Sequence, residues 1–144
     1  MIELMTREWE IARHYVLNVE TKQGEINLNW EDFMILARDH RPVAAVDVSD
    51  ALTPCQLFTQ AYNAAAPLLN HRPGGMIINV VNTDDNPLMM HDLNDLNQSI
   101  EACLGKEQQF TWGVTHAQRA VELNLLDSPA EPLHNRRLML YLFE

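Results

Sequence analysis

The chain has 144 residues, 47% of them hydrophobic and 21% charged, values that fit one globular domain and argue against a disordered polypeptide. Its formal net charge of −10 disfavours nucleic-acid and anionic-membrane binding, since both need clustered lysine and arginine. No apolar run approaches the ~20 residues of a membrane span, and Glu3, Arg7 and Glu8 break any signal-peptide pattern, so a soluble cytoplasmic protein is expected.

In chain order, Met5, Trp9, Ala12, Val16 and Val19 recur at helical spacing and predict a first helix within residues 1–23, stopped at Gly24. Glu25 to Asn29 read as a connector. Asn29 is a predicted N-cap, with Asp32 at the third helical position and Phe33, Leu36 and Ala37 facing inward; Arg41-Pro42 ends this helix. Val43–Val48 is a predicted strand. Thr53-Pro54 then starts a helix whose inner stripe is Leu57, Phe58, Ala61, Ala65 and Leu68, limited by Pro67.

Gly74-Gly75 leads into Met76–Val81, an apolar run expected at the centre of a sheet covered on both faces. Leu93, Leu96, Ile100 and Cys103 mark a helix closed by Gly105. Gln109–Val114 and Arg137–Phe143 read as strands, with a short helix over 117–126 and a loop over 127–135 between them. Alternation of strands and helices implies an α/β fold with crossover helices.

Little in this pattern nominates chemistry. Cys55 and Cys103 have no metal-ligand or disulfide spacing and read as small buried hydrophobes. The six histidines (His14, His40, His71, His91, His116 and His134) form no zinc-binding pair and read as surface or capping residues. His91-Asp92 with His116 is a weak catalytic-dyad pattern, and no nucleophile elbow is present. Gly74-Gly75 precedes a strand, whereas phosphate loops follow one and open a helix. Asp84, Asp85, Asp92 and Asp95 lack the spacing and bend glycine of a calcium loop. No cofactor or metal is expected.

One segment stands out: Gly24-Glu25-Ile26-Asn27-Leu28-Asn29-Trp30-Glu31-Asp32-Phe33. It resembles the loop of the FtsZ/tubulin family that joins the long central helix to the C-terminal domain. There the pattern is glycine, two apolar residues, asparagine, apolar, aspartate, aromatic, any residue, aspartate. Asn27, Trp30 and Asp32 match, Asn29 replaces the first aspartate, and Glu25 departs from the apolar preference. Three further islands follow in order. Ala64–Leu69 is similar to the family's Ser-Pro-Leu-Leu segment, Gly75–Val80 to its strand motif with asparagine, and Trp112-Gly113 to a later strand end. The resemblance covers about residues 5–114 and 137–143. The Gly-rich nucleotide motif, the flexible linker and the tail peptide of the family have no counterpart, and 117–135 is longer than the usual connection.

The resemblance implies a helix over 1–23 followed by an FtsZ C-terminal-domain-like two-layer sandwich over 24–144, with a mixed sheet of about four strands. It also implies a role. Subunits of that family stack head to tail, and the loop of one reaches the nucleotide of the next, where acidic residues orient the attacking water. Asn27, Asn29 and Asp32 are therefore the candidate partner-binding residues. The expectation is an FtsZ-like cytoskeletal or cell-division protein without its own nucleotide site, no enzyme alone, that caps or regulates a full-length FtsZ-like filament. A homodimer through the first helix is a second expected contact. The alternatives are an excised C-terminal part of a polymerising FtsZ-like GTPase, and a small α/β enzyme.

Overall fold

The computed structural model describes residues 1–20, 24–26, 28–83, 87–104, 109–117 and 136–144. Asn27, the helix stop at Gly105, Asp84-Asp85, His134 and the residues 118–135 lie outside them. Six strands form one sheet in the order β1-β3-β6-β4-β5-β2. They are β1 (Ile2–Met5), β2 (Gly24–Ile26), β3 (Pro42–Asp50), β4 (Gly75–Thr83), β5 (Gln109–Ala117) and β6 (Arg136–Phe143). The four strands expected from sequence are the four inner ones. The two extra strands are short edges, four and three residues long, which carry too little pattern to stand out.

β4 and β5 run parallel, joined by helix α4 (Met90–Leu104), while β6 runs antiparallel to both β3 and β4. Helix α3 (Pro54–Ala65), continued by a 3₁₀ turn at Ala66–Leu68, connects β3 to β4. Its start follows from sequence. Pro54 occupies the first turn, Gln56 N–H donates to Thr53 Oγ1 at 3.2 Å, and Thr53 N–H donates to Gln56 Oε1 at 3.0 Å.

Helices cover both faces, so the expected two-layer sandwich is a three-layer one. On one face Leu57, Phe58, Ala61 and Ala65 of α3 and Leu96 and Ile100 of α4 pack on Val46, Ile78, Val80, Leu138 and Leu140. On the other, helix α1 (Glu8–Tyr15) and helix α2 (Trp30–Asp39) bring Ile11, Tyr15, Phe33 and Leu36 onto Ala45, Ile77, Met139, Tyr141 and Phe143. The alternation along β6 assigns even-numbered residues to the α3/α4 layer and odd-numbered ones to the α1/α2 layer.

The first segment differs most from expectation. Ile2–Met5 is a strand, and α1 begins only at Glu8. The buried face of α1 is Ile11, His14 and Tyr15, continued by Val19 in a π turn at Val16–Glu20, so Trp9 of the expected inner stripe is 60% exposed. The helix is rotated because His14, a polar residue by pattern, is buried among partners described below. Cys55 and Cys103 are half-buried rather than buried, with Cys55 Sγ 2.9 Å from Ser99 Oγ. Among the described residues, no helix is long and apolar enough to cross a membrane.

Phe58 anchors the α3 layer with 1% of its surface exposed. Phe58→Ala is expected to cost roughly 3–5 kcal/mol by chemical denaturation. A wild-type denaturation midpoint for that variant would remove Phe58 from the core.

Candidate functional site

The segment singled out by sequence lies at the β2 edge of the sheet. β2 pairs with β5, and the chain then enters α2. Asn29 is the N-cap of α2, and it forms a closed pair with Asp32. Asp32 N–H donates to Asn29 Oδ1 at 3.2 Å, and Asn29 N–H donates to Asp32 Oδ2 at 2.8 Å. Both residues therefore have a structural task, which accounts for an amide and a carboxylate at this spacing without any partner. Asn29 is nevertheless exposed and Asp32 half-buried, so their outer atoms face solvent. Asn27, the third candidate, lies outside the described residues.

Aromatic side chains hold this segment against the sheet. Trp30 stacks on Phe33 with centroids 4.9 Å apart and planes 9° apart. Phe33 meets Tyr15 at 5.0 Å and Phe143 at 5.2 Å, and Tyr15 meets Tyr141 at 5.1 Å edge-on. Tyr15 O–H also donates to the Asn29 carbonyl at 2.6 Å. The start of α2 is thus tied through one phenol ring to α1 and β6.

The seam ends in a buried polar node that sequence reasoning missed. Asp47 in β3 accepts two hydrogen bonds from Arg137 of β6, Nε to Oδ1 at 2.9 Å and Nη2 to Oδ2 at 2.7 Å. His14 Nε2 lies 2.8 Å from Asp47 Oδ2, and His14 Nδ1 lies 2.6 Å from the Tyr141 hydroxyl. Arg137 Nη2 also reaches Asn18 Oδ1 at 3.1 Å, and Asn18 Nδ2 donates to the His14 carbonyl at 3.0 Å. One assignment of hydrogens satisfies the chain: Tyr141 O–H donates to Nδ1, and Nε2–H donates to the carboxylate. The 3.9 Å contact from Tyr141 to the Met139 sulfur is then secondary.

All four principal residues are buried, Tyr141 with 0% of its surface exposed. Burial raises the Asp47 pKa, but the hydrogen bonds from Arg137 and His14 and the Arg137 charge outweigh it, and the carboxyl is held below its ordinary value. Burial and the neighbouring Asp47 push the Tyr141 phenol well above its usual value. A phenol so enclosed is a poor nucleophile or proton donor to substrate. The node therefore acts as a clamp between α1, β3 and β6. Its signals in sequence were an aspartate inside the apolar Val43–Val48 run and a histidine on the α1 face. Reading all histidines as surface or capping residues fails at His14.

The remaining candidates stay dispersed. His91 Nε2 lies 3.4 Å from Asp92 Oδ1 at an exposed position, and Asp92 itself caps α4 by accepting from Met89 N–H at 3.0 Å. His40 packs its ring over Gly74, where a Cβ atom would collide with it. Among the described residues, no group of three His, Cys, Asp or Glu side chains is placed to hold a metal ion.

The chain is similar to the structure of an empty FtsZ dimer from M. jannaschii, with a TM-score of 0.61 and 18% identity over 92% of this chain and 36% of that one. It is likewise similar to a tryptophan-to-tyrosine mutant of FtsZ from M. jannaschii, with a TM-score of 0.59 and 15% identity over 92% of this chain and 37% of that one. No family model and no curated protein matches. The chain thus has an FtsZ-like fold and spans little more than a third of the FtsZ chains it matches, as a C-terminal-domain-like unit would.

Removing the Asp47 charge leaves Arg137 buried without its counter-ion. Asp47→Asn is expected to cost roughly 3–5 kcal/mol. Because the folded-state pKa of Asp47 is depressed, its contribution is present above the unfolded value near ~3.9 and is lost as pH falls through the lower folded value. Denaturation series between neutral pH and strong acid should show wild type losing stability below about pH 4 and the variant losing less. Parallel acid limbs would show that Asp47 is not the titrating group.

Proposed function

We propose that this chain is an FtsZ-like domain of the cytoskeletal or cell-division type, which docks onto a full-length FtsZ-like protein through the segment around Asn27, Asn29 and Asp32 and caps or regulates its filament. The observation that carries this reading is the coverage of the structural likeness: 92% of this chain falls on 36% of an FtsZ chain. What is similar is the fold that bears the loop. No Gly-rich phosphate motif occurs in the 144 residues. In this reading the chain hydrolyses no GTP alone and offers only one of the two faces a head-to-tail polymer needs, and growth stops at a subunit with one face.

The site's geometry supports docking in two ways. The described residues on either side of Asn27 are anchored, by β2 pairing on β5 and by the capping box of α2, so Asn29 and Asp32 are held in place before a partner arrives. The exposed Asn29 amide and the half-buried Asp32 carboxylate sit together at the rim. A carboxylate there accepts a proton from water, while an amide only hydrogen-bonds. With Asn29 in place of one carboxylate, this loop is a weaker activator of a neighbour's hydrolysis, which favours capping over stimulation. An acidic loop near a nucleotide's phosphates also requires the magnesium ion between them.

Sedimentation of an FtsZ from the same source tests this reading. Sub-stoichiometric amounts of the chain should lower filament mass in GTP and magnesium, and calorimetry of the chain alone with magnesium-GTP should show no micromolar binding. Asp32→Ala should weaken the effect while costing ~1 kcal/mol of stability through the lost cap, which circular dichroism reads separately. Unchanged filament mass and GTP turnover, with no complex in a pull-down, would contradict the proposal.

A further inference from the structure

The two edges of the sheet are unlike. β2 is three residues long and has an irregular register against β5. Those are devices that keep an edge from pairing. β1 has regular register along its whole length and carries one charge, Glu3. Ile2 and Leu4 are 49% and 42% exposed on its α3 side. On its α1 side lies a cleft of about 220 Å³ lined by Met5, Trp9, Arg13, Leu17 and their neighbours, with Leu17 51% exposed. An edge with exposed apolar groups on both faces is, among the described residues, unprotected.

The hydrogen-bond phase of β1 identifies which backbone groups point away from β3. Met1 N donates to the Ser49 carbonyl at 2.6 Å, and Ser49 N–H donates to the Met1 carbonyl at 2.9 Å. Bonded pairs alternate in an antiparallel ladder, so Glu3 and Met5 turn their N–H and C=O groups toward β3. Ile2 and Leu4 turn theirs outward, away from the sheet.

We propose that this edge joins two copies of the chain into a two-fold dimer, β1 against β1, with Leu4 opposite Leu4 of the second copy. This register pairs the outward-facing groups with each other and sets Ile2 against Thr6. It also places Glu3 opposite Met5 of the second copy rather than opposite another carboxylate. The two-fold axis is perpendicular to the sheet, because residues of the same parity then meet on the same face. The two α1 layers come to lie on one side, about 14 Å apart by three strand spacings. Large side chains fill such a gap, and Trp9 and Leu17 from each copy stand beside it.

Charge fits the same arrangement. Glu3 pairs with Asp47, which holds His14, so the axis at Leu4 passes close to the C-terminal end of α1. The patch combines Glu3, Glu10 and Arg13, a near-balanced set on a chain of net charge −10. The interface uses the edge opposite to β2 and does not rest on the filament reading.

Leu4→Pro is the sharp test, since the proline removes an N–H that the β1–β3 ladder does not use. Sedimentation velocity across a concentration series should show a wild-type dimer, and a Leu4→Pro chain at least ~10-fold weaker in self-association with an unchanged circular dichroism spectrum. If that variant fails to fold, cysteine pairs decide. In the proposed register the two Leu4 Cα atoms lie about 5.5 Å apart, within disulfide reach, whereas the two Ile2 residues lie far apart. Under mild oxidation Leu4→Cys should form a covalent dimer, and Ile2→Cys and wild type, which share Cys55 and Cys103, should not. A wild-type chain that stays monomeric, a dimer unaffected by Leu4→Pro, or equal cross-linking by both cysteine variants would each overturn the proposal.

Discussion

Asp47 carries a charge inside a sheet, and the molecule is arranged around that fact. An isolated carboxylate in such surroundings would be costly enough to protonate instead. Two guanidinium bonds from Arg137 and one from the His14 ring keep it ionised. Each partner comes from a different place in the chain, so satisfying one side chain sets the relation of α1 to β3 and β6. It also sets the rotation of α1: with His14 turned inward, Ile11 and Tyr15 follow onto the sheet, and Trp9 is left outside. The π turn at Val16–Glu20 belongs to the same arrangement, since it carries Asn18, which bridges the His14 carbonyl and Arg137.

From this node the consequences reach both edges of the sheet. Tyr141 and Tyr15 pass the positioning of α1 to Phe33, Trp30 and the Asn29 carbonyl, and so to the start of α2. In the other direction the rotation of α1 opens the cleft beside β1 and exposes Trp9 and Leu17 there. The loop proposed to meet a filament and the strand proposed to meet a second copy are therefore at opposite edges of one sheet. A dimer built on β1 would carry two such loops, facing away from each other, and each could engage a separate filament end.

Much of the fold was legible because local signals and burial agreed. Thr53-Pro54 gave the start of α3, Asn29 the cap of α2, and the apolar runs at 43–48, 76–81 and 137–143 the inner strands. The misses have physical reasons. Ile2–Met5 is a strand only because β3 offers it an edge, a contact between distant segments that periodicity in four residues does not contain. The π turn breaks the helical spacing on which the first stripe was counted. The node escaped because its residues lie up to 127 positions apart and each looks ordinary alone. The pattern Asn29 and Asp32 was legible in sequence, and the structure accounts for it as the cap of α2; only a partner would distinguish a second use.

The central claim is that the Asp47 node fixes α1 on the sheet. Amide hydrogen exchange of wild type and of His14→Ala reads this directly, because protection is resolved by segment. The account predicts that the variant loses protection first in Glu8–Tyr15 and the following π turn, while β4 and β5 under α4 keep theirs. Uniform loss across the sheet, or α1 protected as in wild type, would contradict it.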